Sequence, residues 1–111
     1  MTGPGPTRII DIARTRNADP ITIFLQDWGA GRGRMTIVCA SQAWTCSWGA
    51  MGASLLDFVA DNSAGYIGGS MMHGSTSQLR FDRQHAETVA ATVISELKRI
   101  RDESRKEERH A

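Results

Sequence analysis

Long apolar runs are missing from this 111-residue chain. The longest, such as Ile21 to Leu25, fall far short of the ~20 residues that cross a bilayer, which excludes a membrane-spanning helix. Cysteine is scarce. Cys39 and Cys46 stand seven apart, with no CxxC pair and no histidine cluster to complete a zinc site, so no metal is expected. An excess of charge of one sign is also missing. Thirteen Lys and Arg against twelve Asp and Glu leave a formal charge of +1, and no global field recruits nucleic acid or an anionic membrane. Met1 to Pro6 has no basic region followed by an apolar one, so no secretory signal is expected and the location expected is cytoplasmic.

A local absence says more than these totals. Between Arg34 and Arg80 there is no Lys or Arg, and across residues 35–79 only Asp57 and Asp61 carry a formal charge. An average stretch of that length, about 25% charged, would hold roughly eleven such residues. The middle of the chain is therefore either buried or an interface. A catalytic constellation is absent as well. His73 lies in a Met/Gly/Ser segment, His85 near the start of a helical pattern and His110 in the tail, with no local signature of a nucleophile, base and orienting acid. Asp57 and Asp61, four apart, read as a solvated helix edge rather than an acid/base pair. No enzyme activity and no cofactor are expected.

What is present is a clear alternation. Ile21, Ile23 and Leu25 alternate with Thr22, Phe24 and Gln26 as in a strand, Met35 to Ala40 and Ala43 to Trp48 follow, and Thr7 to Ile12 reads as a short edge strand. Asn17-Ala18-Asp19-Pro20 is a turn signal, and Gly29-Ala30-Gly31-Arg32-Gly33 supplies the freedom for a reversal. A Ser41-Gln42 hairpin loop would oppose Ile37 to Cys46 and Met35 to Trp48, and a five-residue loop at Gly29 to Gly33 would oppose Leu25 to Ile37. In that register Met35, Ile37, Cys39, Trp44, Cys46 and Trp48 share one apolar face. The two cysteines become diagonal neighbours about 7–8 Å apart, a poor geometry for a disulfide, and are expected as buried free thiols.

An apolar sheet face needs a covering layer. Ser54 to Asp61 has the spacing and first residue of a short capped helix. Residues 65–77 are glycine-rich and expected to be irregular, with one helical turn around Tyr66. Asp82 is expected to cap a long last helix whose Ala86, Val89, Ala90, Val93, Ile94, Leu97 and Ile100 fall at helical spacing. The expected fold is α+β: an antiparallel meander of three to four strands, covered on one face by a long C-terminal helix and a short one. A single domain spans residues 1–111, with 1–6 disordered and 102–111 a charged helical tail.

Gly29 to Arg34 lacks the Lys-Ser/Thr of a phosphate-binding loop and precedes a strand, so it reads first as a hairpin turn and second as an anion or nucleic-acid contact. Trp44 and Trp48 lie on the core face, whereas Trp28, beside the loop, is the tryptophan expected at the surface.

The strings Asp19-Pro20-Ile21-Thr22-Ile23, Gly31-Arg32-Gly33-Arg34-Met35-Thr36-Ile37, Trp44-Thr45 and Trp48-Gly49-Ala50-Met51-Gly52 resemble a family of small proteins encoded by bacteriophages and prophages. The likeness covers roughly residues 19–60 and rests on a GRG-R/K-I/M-T-I motif followed by WG-A/G-MG. It brings no catalytic residue with it. What it implies is a mobile-element protein working inside a bacterial cell, where proteins of this class often bind a host machine; inhibition of a CRISPR-Cas effector is one such role. The expected partner is a bacterial protein or ribonucleoprotein complex, met by Trp28, Arg32, Arg34, Met51, Met71 and Met72, with a homodimer as a further way to use the uncharged middle. The alternative is a small nucleic-acid-binding module with Arg14, Arg16, Arg32 and Arg34 as phosphate contacts, distinguished by steep salt dependence.

Overall fold

Four strands, β1 (Thr7–Ile12), β2 (Ile21–Gly29), β3 (Arg32–Cys39) and β4 (Gln42–Trp48), precede three helices, α1 (Leu55–Ala60), α2 (Ala64–His73) and α3 (Arg80–His110). The computed structural model describes residues 7–16, 18–73 and 80–110. The disorder expected for residues 1–6, the turn residue Asn17, the irregular stretch from Gly74 to Ser77 and the end of the tail at Ala111 lie outside the described residues. The strands pair antiparallel in the order β1-β2-β3-β4, an α+β meander. No helix among the described residues is long and apolar enough to cross a membrane.

Alternation decides the layers. Ile10, Ile21, Ile23, Leu25, Met35, Ile37, Cys39, Trp44 and Cys46 are buried on one side of the sheet, where the helices pack. The apolar stripe of α3 meets them with Ala86, Val89, Ala90, Val93 and Leu97. Trp44 stacks at a tilt on His85, 5.7 Å between centroids, and Trp48 packs 5.2 Å from Phe58. The faces agree with expectation, but the register differs. Ile37 opposes Trp44 and Met35 opposes Cys46, while Leu25 opposes Met35. The first hairpin is tighter than the five-residue loop its glycines suggest, and the second keeps a two-residue turn but sits one residue earlier than Ser41-Gln42. Ala30-Gly31 turns with both residues at positive φ (56° and 74°), and the second turn is Ala40-Ser41, with Ala40 at φ 55°. Each correction slides the pairing by two residues, which leaves every side chain on its own face.

The short α1 is held by two caps. Ser54 Oγ accepts from Asp57 N at 3.2 Å, and the carboxylate of Asp27, from the far end of β2, accepts from Leu55 N at 2.8 Å and from Gly29 N at 2.9 Å. At the other end Arg101 of α3 donates to Asp61 at 2.6 Å, with Asp57 at 3.7 Å, so the two acids read as a solvated edge clamp an arginine. That contact holds the Asp61 carboxyl below its ordinary range, through the hydrogen bond from Arg101 before any longer-range charge.

Residues 64–73 form a ten-residue helix where irregular chain was expected. Three glycines weaken it by about 1 kcal/mol each relative to alanine. Burial overrides that bias. Ile67 and Met71, four apart, go into the core, and Ser63 Oγ caps the first turn through Tyr66 N at 3.1 Å. The glycines have opposite roles. A Cβ on Gly68 would lie 2.8 Å from Glu87 Cγ and 3.0 Å from Glu87 Cα, so α2 and α3 approach as closely as they do because Gly68 is there. A Cβ on Gly69 meets nothing within 4 Å. α3 runs from Arg80, within two residues of the expected start, and the difference is in the role of Asp82, which lies in the first turn, favourable to the helix dipole, rather than at the cap.

Replacing Gly68 with Ala should destabilise the fold by about 1–3 kcal/mol through overpacking. Gly69→Ala should stabilise it by about 0.5–1 kcal/mol through helix propensity. Urea unfolding of the two variants checks the opposite signs, and equal shifts would refute the close α2–α3 contact.

Candidate functional site

The face of the sheet opposite the helices is covered by no element among the described residues. Ile9 is 58% exposed there, and Phe24, Trp28, Arg34 and Val38 are half-buried by their neighbours alone. At the end nearest the β2–β3 turn, one row of side chains runs across three strands. Gln26 Nε2 donates to Thr7 Oγ1 at 3.3 Å, and Arg34 Nε donates to Gln26 Oε1 at 2.8 Å, each between residues that the pairing places opposite one another. The Arg34 guanidinium then lies 5.7 Å from the centroid of the Trp28 ring, a cation–π contact. Arg32 projects from the same face two residues earlier and is exposed. Neither Arg32 nor Arg34 makes an ion pair among the described residues.

This corner is rigid for reasons that lie on the other side of the sheet. Met51 N donates to Gly31 O at 2.8 Å, and a Cβ on Gly33 would come within 3.0 Å of the backbone oxygen of Gln26, with Met51 Cε and Leu55 Cδ2 in contact at 3.4 Å. Asp27 fixes the turn to α1 from the same side. A guanidinium held by one nitrogen keeps its outer N–H groups for an anionic or planar group, and the indole beside it adds an apolar, aromatic surface. The Trp28 Nε1 atom is buried without a hydrogen-bond partner among the described residues.

Of the six residues expected at the interface, the structure gathers Trp28, Arg32 and Arg34. It sends the methionines elsewhere. Met51 and Met71 are core residues, a correction that follows from their positions against the sheet's apolar face, and Met72 is half-buried on α2, on the helical side. The four arginines of the nucleic-acid alternative are also divided. Arg14 and Arg16 sit beside the β1–β2 connection at the opposite end of the sheet, with Arg14 Nη2 3.5 Å from Asp19. Phe24, on the same face as Trp28, was overlooked; an aromatic at an even position of β2 was the available signal.

A second concavity escaped the sequence because α2 did. A groove of about 620 Å³ lies between β4 and α2, lined by Thr45, Ser47, Trp48, Tyr66, Ser70 and His73 among others. Cys39 and Cys46 are free and buried. In the observed register four positions separate them along the strands, roughly 13 Å, farther than a disulfide spans. Burial pushes the Cys46 thiol up to about 11, and burial, with the Asp19 charge second, raises Cys39 as well. No group of three His, Cys, Asp or Glu side chains among the described residues is arranged to hold a metal ion.

The profile of a phage protein family, Phage_phiTE_072, matches residues 6–111. No curated protein and no solved structure matches the chain. The raised thiols yield a direct expectation: at pH 8 the folded protein should react with a thiol reagent such as DTNB far more slowly than an exposed cysteine does, since a higher pKa leaves less thiolate. Two equivalents should react promptly once guanidinium unfolds it. Fast labelling of either cysteine in the folded protein would contradict their placement.

Proposed function

Because the chain belongs to the Phage_phiTE_072 phage family, we propose that it is a phage-encoded binding protein that docks without chemistry on a bacterial host or defence component and inhibits it, a CRISPR-Cas effector being the representative target. The observation that carries this reading is the uncovered sheet corner where Arg34 lies over Trp28 beside exposed Arg32. Aromatic and arginine side chains in a pre-set arrangement are what binding hot spots are made of, because little ordering entropy is lost when a partner arrives. The Gln26 bond and the turn anchors supply that ordering in advance.

The same corner gives a second reading. Phe24 and Trp28, four residues apart on one face of β2 with Gln26 between them and Arg34 over the Trp28 ring, are the elements of a base-stacking platform for a single strand of nucleic acid. A ribonucleoprotein target would use both chemistries at once. Salt separates them: a surface that neutralises phosphates loses affinity steeply as salt rises, and a protein-docking surface much less so.

Expression of the protein in cells carrying an active CRISPR-Cas system should protect an incoming targeted plasmid. Arg32→Glu combined with Arg34→Glu should abolish that protection while the chain stays folded, its stability falling only by what the Gln26 bond and the Trp28 contact contribute, about 1–2 kcal/mol. Failure to protect across the CRISPR-Cas types tested would remove the defence reading. Tight binding of a single-stranded RNA at physiological salt, lost in the double variant, would put the nucleic-acid reading in its place.

A further inference from the structure

We propose that the groove between β4 and α2 accepts an extended, uncharged segment of a partner protein as a fifth strand on the free edge of β4. Sheet order leaves β1 and β4 as the two edges. A two-residue turn at Ala40-Ser41 makes Cys39 and Gln42 the closing hydrogen-bonded pair, so by alternation Ala43, Thr45 and Ser47 aim their N–H and C=O groups away from β3. No described residue takes up those groups.

Edges of this kind are normally blunted with charge, proline or a bulge. The β1 edge carries Arg8 and Asp11. The β4 edge has none of these devices: Gln42 to Trp48 contains no charged residue and no proline, and its pairing runs without a break from Gly33↔Trp48 to Cys39↔Gln42. An unprotected edge beside a cleft of about 620 Å³, a volume within the range of ligand clefts, provides the backbone ladder and the side-chain pocket that strand addition uses. The added strand would alternate between the open face and α2, where Tyr66 is 47% exposed and Gly69 leaves space.

Charge complementarity selects the occupant. Lys, Arg, Asp and Glu are all absent from the groove lining and His73 is its one basic side chain, so a charged side chain entering it would lose hydration with no fixed charge to meet it. A second copy of the chain fits less well than a single strand. Twofold pairing of two β4 edges would bring another α2, a cylinder roughly 10–12 Å across, against the helix already flanking this edge. This site is separate from the Arg34–Trp28 corner, and the two can fail independently.

The test is selection of random dodecapeptides displayed on yeast against the purified full chain, followed by titration of the enriched peptides as synthetic molecules. Uncharged sequences rich in β-branched residues should be enriched, and their binding should shift the amide resonances of residues 43–47 and 65–70. Thr45→Pro, which removes an edge N–H and leaves the β3 ladder intact, should weaken binding by roughly tenfold or more. Gly69→Leu, placed where a Cβ meets open space, should do the same by filling the groove, and gives a second route should the proline variant misfold. N-methylation of the peptide at alternate positions should also abolish binding. The proposal is overturned if no peptide is enriched, if enriched peptides bind both folded variants as well as the parent, or if the parent chain dimerises through an edge that Thr45→Pro makes monomeric.

Discussion

One side of this sheet cannot face water, and the rest of the chain is arranged around that fact. Strict alternation along four strands places Ile10, Ile23, Leu25, Met35, Ile37, Trp44 and Cys46 on a single face. Burying each such side chain is worth about 1.5–3 kcal/mol, so the uncovered sheet would not persist. α3 supplies the cover with one apolar stripe, and α1 and α2 close its flanks. The same alternation sends the polar, aromatic and basic side chains to the opposite face. The requirement for a core on one side thus leaves the other side available for recognition.

The helical layer also stiffens the surface that it does not touch. Asp27 and Met51 reach from the core side to hold the β2–β3 turn, one through two backbone N–H groups and the other through Gly31 O. Their effect appears on the far face, where Arg34 stays bonded to Gln26 and lies over Trp28. Loops tolerate change, but a loop pinned at three points presents its flanking side chains in one arrangement. A partner that binds there meets a surface whose ordering has already occurred during folding.

Faces were legible in the sequence because a period of two is hard to mistake, and a two-residue slip does not alter it. Register was less legible. It depends on turn length and placement, and Ala30-Gly31 and Ala40-Ser41 form two-residue turns with alanine at positive φ, where glycine or asparagine is the usual signal. α2 was hidden by its own glycines, whose local preference is overruled by Ile67 and Met71 entering the core and by the close approach at Gly68. The groove beside β4 went unseen for the same reason, since one of its walls is α2. Three of the six expected contact residues, Trp28, Arg32 and Arg34, converge because they lie on one face of the sheet, on the two strands that flank one turn. Met51 and Met71 were misjudged because a methionine among glycines suits a surface or a core equally well, and only tertiary packing separates the two.

The cation-free middle of the chain now has a physical account. Eleven hydrophobic residues from Met35 to Met71 are buried in the core, but burial alone does not explain the neutrality of Thr45, Ser47, Tyr66, Gly69 and Ser70, which stand at or near the surface. Uncharged residues at an open strand edge ordinarily invite aggregation, and a chain under no other constraint would place a lysine there. Arg32 and Arg34 show that cations are accommodated one strand away. Their confinement to the open face, and the neutrality of the β4 edge, divide the surface into a basic aromatic corner and an uncharged backbone ladder. A single protein partner could engage both only by reaching around the outer edge of β4, with an extended segment on one side and an acidic or planar group on the other.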